Sequence, residues 1–226
     1  MKKILIIVFI TLCISLGLIY NKNIDKNTNK NNIDKVDSID SIDANVLNKL
    51  LNIINLNDKE GINNYSNYDL LLLLKDNNGK ISDFSSDIKR KIIFLYAYKT
   101  ELLGQLEGED YSYCKNNLNF CYTINKADVL QIASLYNIDN VSSLYSIEEE
   151  YNDNYLYQIE ENKVMGKYEY KIDSYYDSNK TDIILNISLI IKDIDDINIK
   201  VGDSYKLKLL YKIKNNEYYL DTVEEM

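Results

Sequence analysis

The sequence predicts an α+β fold, with a helical front half packed on a C-terminal antiparallel sheet and an N-terminal membrane segment ahead of both. Three observations carry this. In Ala44 to Leu56, Ser86 to Leu103 and Asn125 to Tyr136 apolar residues recur three or four apart, the helical repeat. From Tyr155 onward the repeat falls to two. Within that second half, Thr181 to Ile191 (TDIILNISLII) keeps an apolar residue at every second position from Ile183 on. Ile183, Leu185, Ile187, Leu189 and Ile191 share one side, opposite Asp182, Ile184, Asn186, Ser188 and Ile190. That is a strand with one face in a core, and its β-branched residues suit a pleated surface. We read it as the centre of the sheet.

The elements follow in order. Met1 to Tyr20 places two lysines before a run from Ile4 to Tyr20 that carries no charge. The run is just long enough to cross a bilayer, where about 20 residues is usual. The lysines keep the start in the cytoplasm and send the rest outward. We read residues 1–20 as a signal anchor; a cleaved signal peptide ending near Ser15-Leu16-Gly17 is the alternative. Cys13 invites lipidation, but Leu12 before it is larger than such signals accept. Residues 21–43 are Asn-, Lys- and Asp-rich without periodicity, a flexible polar tether.

Residues 44–150 read as mainly helical. Asp43 caps a helix from Ala44 to Leu56. Gly61 ends that region, and the leucine run inside Tyr68 to Lys75 reads as a second helix. Ser85 or Ser86 caps the longest helix, Ser86 to Leu103. Asn125 caps another that runs to Tyr136, and Ser142 to Glu150 reads as a short one with a solvated glutamate end. Residues 151–226 read as five strands: Tyr155–Glu160, Lys167–Tyr176, Thr181–Ile191, Ser204–Lys214 and Glu217–Val223. Short links, including the two-residue turn Asn215-Asn216, imply an antiparallel meander curved over the helices. Residues 44–226 are expected to form one globular unit.

Composition removes whole classes of function. The chain has 226 residues, 46% of them apolar, which is enough for a real core. Its net charge of −9 opposes nucleic acid, whose affinity rests on neutralising phosphates. It has no histidine, so Ser-His-Asp and Cys-His catalysis, histidine-bearing zinc sites and imidazole pH switches are all excluded. The expected function is non-catalytic, with no cofactor and no metal.

Several groups of residues are candidate sites. Cys114 and Cys121 enclose CKNNLNFC; outside the membrane a structural disulfide is the natural reading, and no further Cys or His completes a metal or redox site. KDNNGKISDF resembles part of a calcium loop through Asp76, Asn78 and Gly79, but Leu74 and Ser85 stand where its end ligands belong, so a plain turn is expected. Asp193, Asp195, Asp196 and Asp203 match no ligand register and read as a polar loop. Lys206, Lys208, Lys212 and Lys214 face outward along one strand, either as an anion-binding stripe or as protection against edge pairing; the second is expected. Tyr168, Tyr170, Tyr175, Tyr176, Tyr205, Tyr211, Tyr218 and Tyr219 either line a groove for sugars or peptides or pack the sheet, and packing is expected.

The anchor, the tether, the helical front and a meander ending YKLKLLYKIKNNEYYLDTVEEM resemble signal-anchored exported proteins of AT-rich Gram-positive bacteria. The final hairpin, YKLKLLYKIKNNEYYLDTV, is similar to the last two strands of the nuclear-transport-factor-2-like (NTF2-like) and cystatin-like folds. Enzymes of the first group use Asp and His in the cone of the sheet, and no His exists here. The resemblance therefore implies binding and no reaction. The expectation is a single-pass protein of the cell membrane, held through residues 1–20, whose extracytoplasmic domain binds an envelope protein or glycan. A surface hydrolase using Asp/Glu pairs and a structural envelope spacer are the alternatives.

Overall fold

A computed structural model describes residues 42–66, 69–106, 121–158, 166–178, 182–194 and 200–226. The anchor and nearly all of the tether lie outside these residues. Among the described residues no helix is long and apolar enough to cross a membrane.

Among the described residues there are four α-helices and two antiparallel sheets. Helix α1 is Ala44–Ile53, α2 is Leu70–Asp76, α3 is Ser86–Lys99 and α4 is Lys126–Ser134. Each begins on a side chain that accepts from the first free N–H groups: Asp43, Asp69, Ser85 and Asn125. Helices α1, α3 and α4 end earlier than the apolar pattern does. Asn55 and Glu101, at φ 58° and 59°, turn the chain left-handed just past α1 and α3. Ser142 to Glu150 is two 3₁₀ turns, Val141–Leu144 and Ile147–Glu149.

The large sheet has six strands: β1 (Glu60–Ser66), β7 (Gly166–Ser178), β8 (Asp182–Ile194), β9 (Ser204–Lys214), β10 (Glu217–Glu225) and β2 (Gly79–Lys80), in that spatial order. Strands β7 to β10 form the expected meander, with β8 between β7 and β9. The side of β8 that alternation assigned to the core is buried along its whole length, Leu185, Ile187 and Leu189 completely. Leu207, Leu209 and Tyr211 of β9 continue that face. Helices α1 and α2 pack against β10, and α3 links α2 to α4.

The strand around Tyr155 departs from expectation. Strand β6 (Asn154–Gln158) pairs with β4 (Cys121–Asn125) and β5 (Glu150–Tyr151) in a second, four-stranded sheet completed by β3 (Gly104–Gln105). The meander thus has four strands and not five. Both hydrogen-bonding edges of β6 are taken, by β4 and β5, and its Tyr155, Leu156 and Tyr157 are all buried. The stretch read as mainly helical also holds β1 to β5. Gly61, read as a terminator, lies inside β1 opposite Tyr170; a Cβ there would come within 2.8 Å of the Tyr170 Oη.

Candidate functional site

A broad groove of about 910 Å³ opens between α4 with the segment that follows it and the tip of the β9–β10 hairpin. Sequence sets both walls. After α4 the chain runs Tyr136-Asn137-Ile138-Asp139-Asn140, and both asparagines are left-handed, at φ 49° and 54°. Asn215 and Asn216 are left-handed too, at 53° and 66°, as a two-residue hairpin turn requires. Asparagine accepts this conformation more readily than most residues. Lys214 spans the walls: its Nζ donates to Asn137 Oδ1 at 3.2 Å and lies 3.9 Å from Asp139 Oδ1. The Leu220 N–H donates to the Leu135 carbonyl at 2.8 Å and ties β10 to the end of α4. Leu130, 59% exposed, stands on the α4 side. Tyr218 and Tyr219 stand half-buried on the hairpin side.

One end of the groove meets a charged aromatic cluster. Tyr145 stacks on Tyr155, ring centroids 3.9 Å apart, and its hydroxyl meets that of Tyr157. Arg90 lies 5.1 Å from the Tyr145 centroid and holds Glu149 at 2.6 Å. Lys126 lies 5.2 Å from the Tyr155 centroid and holds Glu150 at 2.5 Å. Burial pushes the Tyr145 hydroxyl up to about 12, with the Tyr157 hydroxyl and Arg90 pulling it back. Glu149 is pushed up by burial but pulled further down by the Ser146 N–H and by Arg90, so it lies below its ordinary 4.5. Of the three glutamates expected to be a solvated end, Glu148 and Glu150 are exposed, while Glu149 is half-buried against Arg90 of α3; Glu150 also pairs with Lys126 of α4.

A second polar spot lies under α2. Asp69 accepts from Leu71 N at 2.9 Å and Leu72 N at 3.0 Å, while the Tyr168 hydroxyl donates to both carboxylate oxygens at 2.9 Å. Burial pushes this carboxyl above its ordinary 3.8, although these donors and the charge of Lys99 pull the other way. Beside it lies a cavity of about 10 Å³, of the size one water molecule fills, bordered by Asn55, Lys99 and Tyr168. The Asp69 oxygens are engaged in capping a helix and holding β7, which is structural work.

The candidate residues divide as follows. Tyr168, Tyr170, Tyr175 and Tyr211 point into the core, as packing predicts, whereas Tyr218 and Tyr219 reach the groove. The lysine stripe is opposed by charge: Lys208 holds Glu224 at 2.9 Å, Lys212 holds Asp221 at 2.9 Å, and Lys214 is tied into the groove. Asp76 pairs with Lys75 at 2.7 Å, and Asn78 Oδ1 accepts from Glu225 N at 2.8 Å, so the turn at Gly79 spends its polar groups on β10 and α2. Asp203 Oδ2 accepts from Lys200 N at 2.9 Å; Asp195 and Asp196 lie outside the described residues. Cys121 opens β4, but its side chain and all of Cys114 lie outside what is described. Sequence reasoning missed Gln131, Asn137 and Asn140. The signal available was the Asn-Ile-Asp-Asn run directly after a helix, a pattern of left-handed turns.

No protein-family model, no curated protein and no solved structure matches this chain.

Proposed function

We propose that this protein is a membrane-tethered, extracytoplasmic binding module of the cell envelope, without catalytic activity. The groove carries the binding reading. Its walls offer amides, hydroxyls and phenol rings, groups that hold a partner through hydrogen bonds and apolar contact. Its two lysines are already opposed, Lys126 by Glu150 and Lys214 by Asp139. The location rests on Met1 to Tyr20, where Lys2 and Lys3 precede an uncharged run.

The chemistry of the chain supports the same reading. With no histidine, general acid–base work would fall to carboxylates or tyrosines. Asp139 and Glu217 both border the groove, which gives the hydrolase alternative a definite pair to test. Asp139, however, already faces Lys214 at 3.9 Å.

The experiment is crosslinking of intact cells that express the full-length chain, followed by membrane isolation and capture. The protein should stay with the membrane, be digested by protease added outside the cell, and carry a crosslinked envelope component. Recovery from the cytosol, or turnover of an envelope polymer that the Asp139→Asn, Glu217→Gln double variant abolishes, overturns the proposal.

A further inference from the structure

The hairpin wall of the groove carries a main-chain feature that narrows its ligand. In an antiparallel pair, successive residues direct their N–H and C=O groups alternately at the partner strand and away from it. The Leu220 N–H points away from β9, because it donates to Leu135. Tyr218, two residues earlier and opposite Ile213, therefore also turns its N–H and C=O away from β9, toward the groove. Further along this edge β2 takes Thr222 and Val223. The open part of the edge is thus a single residue long, closed off by Leu135 at the next outward-facing position. A peptide cannot add as a strand there, since strand addition needs a run of outward-facing groups. A ligand with hydroxyls can use one donor and one acceptor.

The charges narrow it again. The lysines that border the groove, Lys126 and Lys214, are matched in number by its carboxylates, Asp139 and Glu217. The walls offer no excess of positive charge to a phosphate or uronate, and the chain as a whole carries −9. The remaining polar side chains are neutral: Gln131, Ser134, Asn140, Ser142 and Asn215, beside Asn137. An amide presents donor and acceptor together and so matches a sugar hydroxyl, which is both. Tyr218 and Tyr219 border the groove along β10, with their side chains on opposite faces of the strand.

We propose that the groove between α4 and the β9–β10 hairpin binds a neutral oligosaccharide, held by the Tyr218 main chain and by the amides of Gln131, Asn140 and Asn215. The inference rests on the binding reading above and deepens it by naming the ligand class.

The test uses the full-length chain in a polyoxyethylene detergent, since a maltoside head group would itself compete. Maltohexaose, cellohexaose and chitohexaose are titrated by calorimetry and by saturation-transfer NMR, with a hexamer of galacturonic acid as the charged comparison. At least one neutral hexasaccharide should bind saturably. Gln131→Ala and Asn215→Gly, the second keeping the left-handed turn, should each weaken it about fivefold, the effect of one lost hydrogen bond. Ile147→Ala, at an exposed residue outside the groove, should change nothing. Binding of the galacturonate alone, binding of no sugar, or affinities unmoved by the groove variants overturns the inference. If envelope crosslinking then persists and is lost in Gln131→Ala, the binding module stands with another class of ligand. If crosslinking is absent as well, both fall.

Discussion

The two sheets are held together by different means. Strands β7 to β10 are nine to thirteen residues long, and their fully buried apolar groups gather on one face. The small sheet has two strands of five residues and two of only two. It has little regular surface to bury, and side-chain chemistry makes up the difference: stacked tyrosines, Arg90 between Glu149 and two rings, and Lys126 bound to Glu150. Hydrophobic burial is non-directional and spreads over many residues. Cation–aromatic and ion-pair contacts are directional and rest on few. The large sheet should therefore answer to lost volume, and the small sheet to single polar atoms.

The greatest effect should come from the large sheet. Leu185→Ala or Leu207→Ala removes a fully buried side chain and should cost about 2–5 kcal/mol, read as a lowered midpoint in urea unfolding. A loss below about 1 kcal/mol would mean that β8 and β9 are not packed as described. Beside the small sheet, Arg90→Ala on α3 should cost about 2 kcal/mol, because it removes the charged hydrogen bond to Glu149 and uncovers Tyr145. Arg90→Lys should restore only part of this, since an ammonium cannot reproduce the guanidinium plane. Amide exchange should localise the loosening to β5 and β6; equal loosening across β8 would erase the contrast between the sheets.

A smaller pair of effects separates satisfied from unsatisfied hydroxyls. Tyr136 and Tyr211 are both fully buried. Tyr136 donates to the Ile53 carbonyl, whereas the Tyr211 hydroxyl has no hydrogen-bond partner among the described residues. Tyr136→Phe should destabilise by about 1 kcal/mol, and Tyr211→Phe should be neutral or stabilise by a similar amount. The same sign for both would show that the Tyr211 hydroxyl has found a partner.

Smallest, and opposite in sign, are two pH effects. Glu149 lies below its ordinary 4.5, so its ionised form is favoured by folding. Its contribution is present above 4.5 and is lost as pH falls through the lower folded value. The deficit of Glu149→Gln should therefore shrink on acidification. Asp69 lies above its ordinary 3.8, so the folded protein takes up its proton first. Its ionised form weighs against folding at neutral pH, and that burden lifts as pH falls through the raised value toward 3.8. Asp69→Asn keeps an acceptor for the α2 cap, so its standing relative to the parent should be best at neutral pH and worsen in acid. Urea unfolding at a series of pH values reads both, and parallel slopes would refute the assignment.

Legibility in the sequence followed the same division. Thr181 to Ile191 declared its strand because one buried face over many residues leaves an apolar residue at every second position. The caps Asp43 and Asn125 were legible because they act on N–H groups two or three residues away. Strand β6 was placed in the wrong sheet because Tyr155, Leu156 and Tyr157 are all buried, which erases alternation. Strand β1 (EGINNYS) was missed because its composition is that of a loop; it is a strand through its pairing with β7. The groove was half visible. Tyr218 and Tyr219 stood among the candidates, but their opposite wall comes from residues some eighty positions earlier, and only folding brings Asn137 to Lys214.

The most direct measurement is site-specific photo-crosslinking in intact cells, with a photoreactive phenylalanine analogue at position 131, in the groove, and at position 147, exposed outside it. The account predicts a discrete adduct from position 131, formed on the outer side of the membrane, and none from position 147. Equal labelling from both positions, or an adduct from position 147 alone, would contradict it.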